Sequence, residues 1–101
     1  MELAQLKYFK TIAKTGKITA AAQELFLTPP ALSTSIVRLE KELGVPLFDR
    51  TGNRIRLNPQ GELFLKHVDE VFDTLDRARR ELQRSLLQQH QHRLCPNRDP
   101  I

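Results

Sequence analysis

Along the first half of the chain, apolar residues recur at helical spacing, and the pattern breaks where glycine and proline stand. Leu6, Phe9, Ile12 and Ala13 make one stripe of a helix predicted over about Leu3 to Thr15, with Lys7, Lys10, Lys14 and Lys17 on its other side or in the turn. Gly16 suits the left-handed position that ends such a helix. A second, shorter helix follows in ITAAAQEL, with Thr19 as its expected cap. Ala21 and Ala22 are small enough for a close crossing, and Phe26 and Leu27 are expected to fill the turn toward the core.

The third helix opens with Thr28, whose hydroxyl can accept an orphan backbone N–H, and with Pro29 at a position that forfeits no hydrogen bond. Leu32, Ile36, Leu39 and Leu43 then share one face. Pro30, Ser33, Thr34 and Val37 fall on the opposite face, flanked by Arg38 and Lys41. Two short helices meeting at a tight turn, the second presenting small polar side chains, suit a helix that enters a DNA groove. An ordinary buried helical hairpin has the same pattern, so the segment alone leaves both readings open.

Beyond Leu43 the period shortens. Gly44 and Pro46 stop the helix, Leu47 and Phe48 read as buried, and Arg54, Ile55, Arg56 and Leu57 alternate as a strand does. With the polar turn Arg50 to Arg54, this predicts a β-hairpin, or wing. Its Arg50, Arg54 and Arg56 are placed to reach a sugar–phosphate backbone or a narrow minor groove. Asn58 and Pro59 then signal a new helix, read to about Gln88. Phe64, Val68, Val71, Leu75, Ala78, Leu82 and Leu86 repeat along it at spacings of three and four, close to a heptad seam. A lone helix would leave that seam wet, so a homodimer is expected.

Charge supports the DNA reading through its distribution. The 101 residues carry a net charge of +4; residues 1–58 hold nine Lys or Arg against five Asp or Glu, whereas 59–88 hold five against six. The excess sits on the N-terminal region, as a phosphate-facing surface requires. No apolar run approaches the roughly 20 residues of a membrane span. The one cysteine, Cys95, cannot form an internal disulfide. A soluble, cytoplasmic protein is expected. No phosphate loop, helical metal-ligand pair or nucleophile–base cluster appears, so neither an enzyme nor a cofactor is expected. His90, His92 and Cys95 lack a fourth partner, and no metal is assigned to them.

The motifs LKYF, ITAAAQEL, TPPALSTSI, RLEKELGVPLFDR and TGNRIRLNPQGE, in that order and without gaps, resemble the LysR-type transcriptional regulators. The resemblance covers nearly 90 positions. It implies a mainly α fold: a winged helix-turn-helix of three helices and a short hairpin over 1–58 and a dimerising linker helix over 59–88; the tail over 89–101, polar, Pro-containing and without apolar period, is expected to be disordered. It also implies a bacterial regulator of transcription that binds double-stranded DNA as a dimer on an interrupted palindrome.

Carried across by position, the resemblance implies base reading in the major groove by Pro29, Pro30, Ser33 and Thr34. Thr28, Arg38 and Arg50 become phosphate contacts, and Asn53 and Arg54 the wing positions at the minor groove. Many members have glutamine at the place of Pro29 and a longer polar side chain at that of Thr34 or Ser35. Bidentate readout is therefore curtailed here, and methyl contacts from Pro29, Pro30 and Val37 are expected to carry part of the discrimination. The family continues into a two-lobed effector domain, while this chain ends in QHQHRLCPNRDPI, which cannot form an inducer pocket. No small-molecule effector site is expected in it. The competing reading is an interaction module whose linker helix pairs with a full-length relative as a heterodimer.

Overall fold

The computed structural model of the chain describes residues 1–92, with side chains through Leu87. Six elements follow in order: α1 (Leu3–Thr15), α2 (Ile18–Leu25), α3 (Pro29–Leu43), β1 (Phe48–Thr51), β2 (Arg54–Leu57) and α4 (Pro59–His92). The two strands form an antiparallel hairpin pairing Phe48 with Leu57, Asp49 with Arg56, Arg50 with Ile55 and Thr51 with Arg54. This is the expected mainly α winged helix-turn-helix followed by a long helix. The first compact unit runs from Met1 to Val68 and the second begins at Asp69.

The helix ends follow their residues closely. Gly16 and Gly44 close α1 and α3 with φ of 74° and 80°, where any side chain would be strained. Thr28 Oγ1 accepts the Ala31 N–H at 3.2 Å, as its place before two prolines predicts. Two sequence expectations fail in α2. The helix begins at Ile18, with Lys17 rather than Thr19 at the N-cap; Lys17 is already in extended backbone (φ −145°), leaving Thr19 inside the first turn. Phe26 does not fill the turn toward the core. It adopts left-handed backbone (φ 59°), which swings its side chain outward, and it is 94% exposed, while Leu27 is half-buried.

The core gathers Leu6, Phe9 and Ile12 from α1, Ala21 and Ala22 from α2, and Leu32, Ile36 and Leu39 from α3. Leu47, Phe48 and Ile55 come from the wing and its approach, and Val68 from α4. Phe9 is its hub. Its ring lies 5.3 Å from that of Phe48 and 5.2 Å, edge to face, from that of Phe64. The stripe of α4 is therefore not uniform: Phe64 and Val68 are covered by the chain's own domain, and the uncovered part begins at Val71. The helix also continues to His92 rather than ending near Gln88, since no proline or glycine interrupts it. The expected tail beyond His92, with Cys95, lies outside the described residues, as do the side chains of His90 and His92.

A compact latch fixes the start of α4. Asn58 donates its N–H to Leu47 O at 3.0 Å and its Nδ2 to Pro46 O at 2.9 Å, while its Oδ1 accepts the Gly61 N–H at 2.8 Å. Leu47 N–H in turn donates to Glu40 Oε2 on α3 at 2.7 Å. Gly61 permits this approach, because a Cβ there would be driven into the Leu47 carbonyl oxygen and would lie 2.8 Å from Leu57 Cδ2. Alanine would gain about 1 kcal/mol of helix propensity over glycine, but the clash with backbone costs roughly 1–3 kcal/mol or more. Gly61→Ala is thus expected to lower stability despite the better helix former, as read by the urea midpoint. Gly52→Ala, at φ 60° with open space around it, should cost only about 1 kcal/mol.

Candidate nucleic-acid interface

The residues expected to meet DNA occupy two neighbouring features of the first unit. On α3, the prolines at its first two positions and the burial of Leu32, Ile36 and Leu39 turn the other face outward. Pro29, Pro30, Thr34, Val37 and Arg38 are exposed there, and Ser33 is half-buried. Thr28 stands at the helix entrance; its hydroxyl oxygen is committed to the cap, and its proton remains free to donate. The side chains at its centre are short, and the long cationic ones, Arg38 and Lys41, stand at its flank.

On the wing, the register sends Phe48 and Ile55 inward and leaves Arg54 and Arg56 exposed on the other side. Arg50 lies opposite Ile55, on the inward side of the hairpin but at its exposed margin. Gly52 and Asn53 form the tip, with Gly52 at φ 60°. Besides the packing of Phe48 and Ile55 in the core, a hydrogen bond from Ile55 N–H to Gly16 O at 3.1 Å ties the hairpin to the end of α1. None of Arg38, Arg50, Arg54 or Arg56 makes an ion pair with a carboxylate among the described residues. Unpaired guanidinium groups of this kind are suited to phosphate oxygens.

Two grooves adjoin these features, and sequence reasoning missed the residues on their far walls. One, of about 570 Å³, runs between the start of α1 and the outward face of α3, lined by Gln5, Tyr8, Pro30, Thr34 and Arg38 among others. Gln5 Nε2 reaches across to Ser35 O at 3.3 Å. The other, of about 420 Å³, lies between the start of α2 and the wing, where Lys17 and Thr19 meet Arg50, Asn53 and Arg54. Neither wall is visible in local periodicity, because each joins elements distant in sequence.

In the second unit, Val71, Leu75, Ala78, Leu82 and Leu86 remain exposed, Leu82 at 70% and Leu86 at 64%. The charges beside them pair within the helix: Asp76 accepts from Arg79 Nη2 at 2.7 Å and from Arg80. The hydrogen bond from Arg79, then the charge of Arg80, hold the Asp76 carboxyl below its ordinary value. Among the described residues no helix is long and apolar enough to cross a membrane, and no cluster of His, Cys, Asp or Glu is placed to hold a metal.

This architecture has close relatives. YybE, an HTH-type transcriptional regulator of Bacillus subtilis, is 48% identical over 83 residues, which are 82% of this chain and 28% of that protein. The BenM DNA-binding domain, solved in complex with benA site 1 DNA, superposes with a TM-score of 0.79 at 31% identity over 83% of this chain and 98% of that one. The CbnR DNA-binding domain, solved in a DNA complex, gives 0.79 at 31% identity over 85% and 99%. The chain thus spans less than a third of the length of YybE. Residues 3–62 match the family of bacterial regulatory helix-turn-helix proteins of the lysR type, and the chain belongs to that LysR family.

Proposed function

We infer that the chain is a sequence-specific, double-stranded-DNA-binding regulator of transcription, acting in the cytoplasm as a homodimer on an interrupted palindrome. The observation that carries this reading is the outward face of α3 standing beside a wing whose arginines make no ion pair among the described residues, in a fold whose relatives BenM and CbnR are solved on DNA. Pro29, Pro30, Ser33, Thr34 and Val37 meet base edges in the major groove, Thr28, Arg38 and Arg50 hold phosphates, and Asn53 and Arg54 enter the minor groove. The unit Met1–Val68 reads DNA, and the exposed stripe of α4 from Val71 to Leu86 pairs with a second copy.

Selection of bound duplexes from a random pool, with the oligomeric state measured alongside, tests the reading. Enrichment of a two-fold symmetric sequence by a dimer supports it, and recovery of unenriched DNA overturns it. Arg54→Ala should weaken binding by about 1–3 kcal/mol with an unchanged melting temperature, because the Arg54 side chain is exposed and makes no ion pair among the described residues. A fall in melting temperature at constant affinity would instead make the wing arginine structural.

The same exposed stripe favours a second reading, in which α4 pairs with the matching helix of a longer relative as a heterodimer. Mixing the chain with such a relative and following subunit exchange separates the two.

A further inference from the structure

The groove between α2 and the wing contains a residue that the fold itself disfavours. Lys17 is the N-cap of α2, yet it offers no acceptor and makes no side-chain cap hydrogen bond. Ser, Thr, Asn or Asp there would satisfy an orphan N–H, and a cation at this end also opposes the helix dipole. The same groove is lined by Arg50 and Arg54, together with Thr19 and Asn53. None of the three cations is paired with a carboxylate among the described residues. Their separation is held by the bond from Ile55 N–H to Gly16 O, which joins the immediate chain neighbours of Arg54 and Lys17. A local choice that costs stability and concentrates like charge is the kind expected at a functional position.

We propose that Lys17 and Arg50 grip one phosphodiester of the duplex backbone in this groove, and so set the position from which Arg54 enters the adjacent minor groove. The proposal rests on the DNA-binding reading above and adds Lys17 as a contact, with Thr19 as a neutral donor beside it. The phosphate neutralises the cation cluster, so the wing gains its geometry on DNA from a residue outside the hairpin. Lys17 is a positioning residue, since its contact is with backbone rather than base.

The test uses the whole chain and a random-sequence duplex over a range of salt. Lys17→Ser should make the dependence of log affinity on log salt shallower by roughly 0.9, the release expected for one neutralised phosphate, and should do so equally on selected and random DNA. The same variant should melt at a higher temperature, because serine supplies the missing cap. Lys66→Gln, which removes equal charge from an exposed position on α4, should leave the slope unchanged. A Lys17→Ser slope equal to wild type, while Arg54→Ala remains weakened, overturns the proposal and leaves the DNA reading standing. An equal change in Lys66→Gln overturns it as bulk charge, and a lower melting temperature overturns the premise that Lys17 opposes the fold. Inorganic phosphate added without DNA distinguishes a free-anion site: a Lys17-dependent rise in melting temperature at millimolar phosphate assigns the groove to that anion and overturns the duplex contact. Absence of salt-sensitive binding in the wild type removes the parent reading as well.

Discussion

Phe9→Ala is expected to cost about 3–5 kcal/mol, a large share of the roughly 5–15 kcal/mol available to a small domain. Phe9 is fully buried, and its ring touches aromatic partners from two other elements, Phe48 of the wing and Phe64 of α4. Its loss empties a cavity and also removes two ring contacts worth about 0.5–1.5 kcal/mol each beyond their buried area. At roughly 4–8 °C per kcal/mol for a unit of this size, the melting temperature should fall by more than about 10 °C. Phe26→Ala provides the contrast. Its ring is almost wholly exposed, so the change should stay within about 0.5 kcal/mol. Thermal unfolding followed by circular dichroism measures both, and similar losses for the two would refute this account of the core.

Val71→Glu should convert dimer to monomer while leaving the N-terminal unit folded. Val71 lies beyond the compact unit that ends at Val68 and opens the exposed stripe continued by Leu75, Ala78, Leu82 and Leu86. In a two-fold seam each substitution counts twice, and desolvating two carboxylates without partners costs several kcal/mol. Affinity for a two-site operator should drop on the order of a hundredfold or more, because the second half-site is then no longer presented at high effective concentration. Sedimentation and operator titration would both report the change. A persisting dimer would place the interface elsewhere, whereas a monomer with undiminished affinity would mean that each copy reads DNA alone.

Much of this was legible in sequence because the relevant physics is local. Gly16, Thr28 with Pro29, Gly44 and Asn58 with Pro59 each act through a backbone requirement met within a few residues, so the ends of α1 and α3 and the start of α4 could be placed from them. The alternation Arg54 to Leu57 likewise gave the exposed and buried sides of β2. The failures share a different cause. Thr19 has the chemistry of a cap, but the chain turns earlier, at Lys17, to bring Gly16 against Ile55. Phe26 has the composition of a core residue, but the turn into α3 requires left-handed backbone at that point. Phe64 and Val68 carry the period of a seam, yet Phe64 packs against the Phe9 ring and Val68 is buried in the first unit. For Thr19 and for the start of the α4 stripe a tertiary contact decided between local options, whereas for Phe26 the backbone of the turn did so.

The latch at Leu47, Asn58 and Gly61 bears on how such proteins can be recombined. A splice between relatives made at the wing's end, before Pro59, would join a foreign α4 to a core that needs Phe64 and Val68 and to a carbonyl that tolerates only a bare α-carbon at position 61. The transferable module therefore extends two turns or more into the helix. A graft that exchanges reading specificity while keeping the recipient's pairing must cross between Val68 and Val71, where the buried stripe gives way to the exposed one.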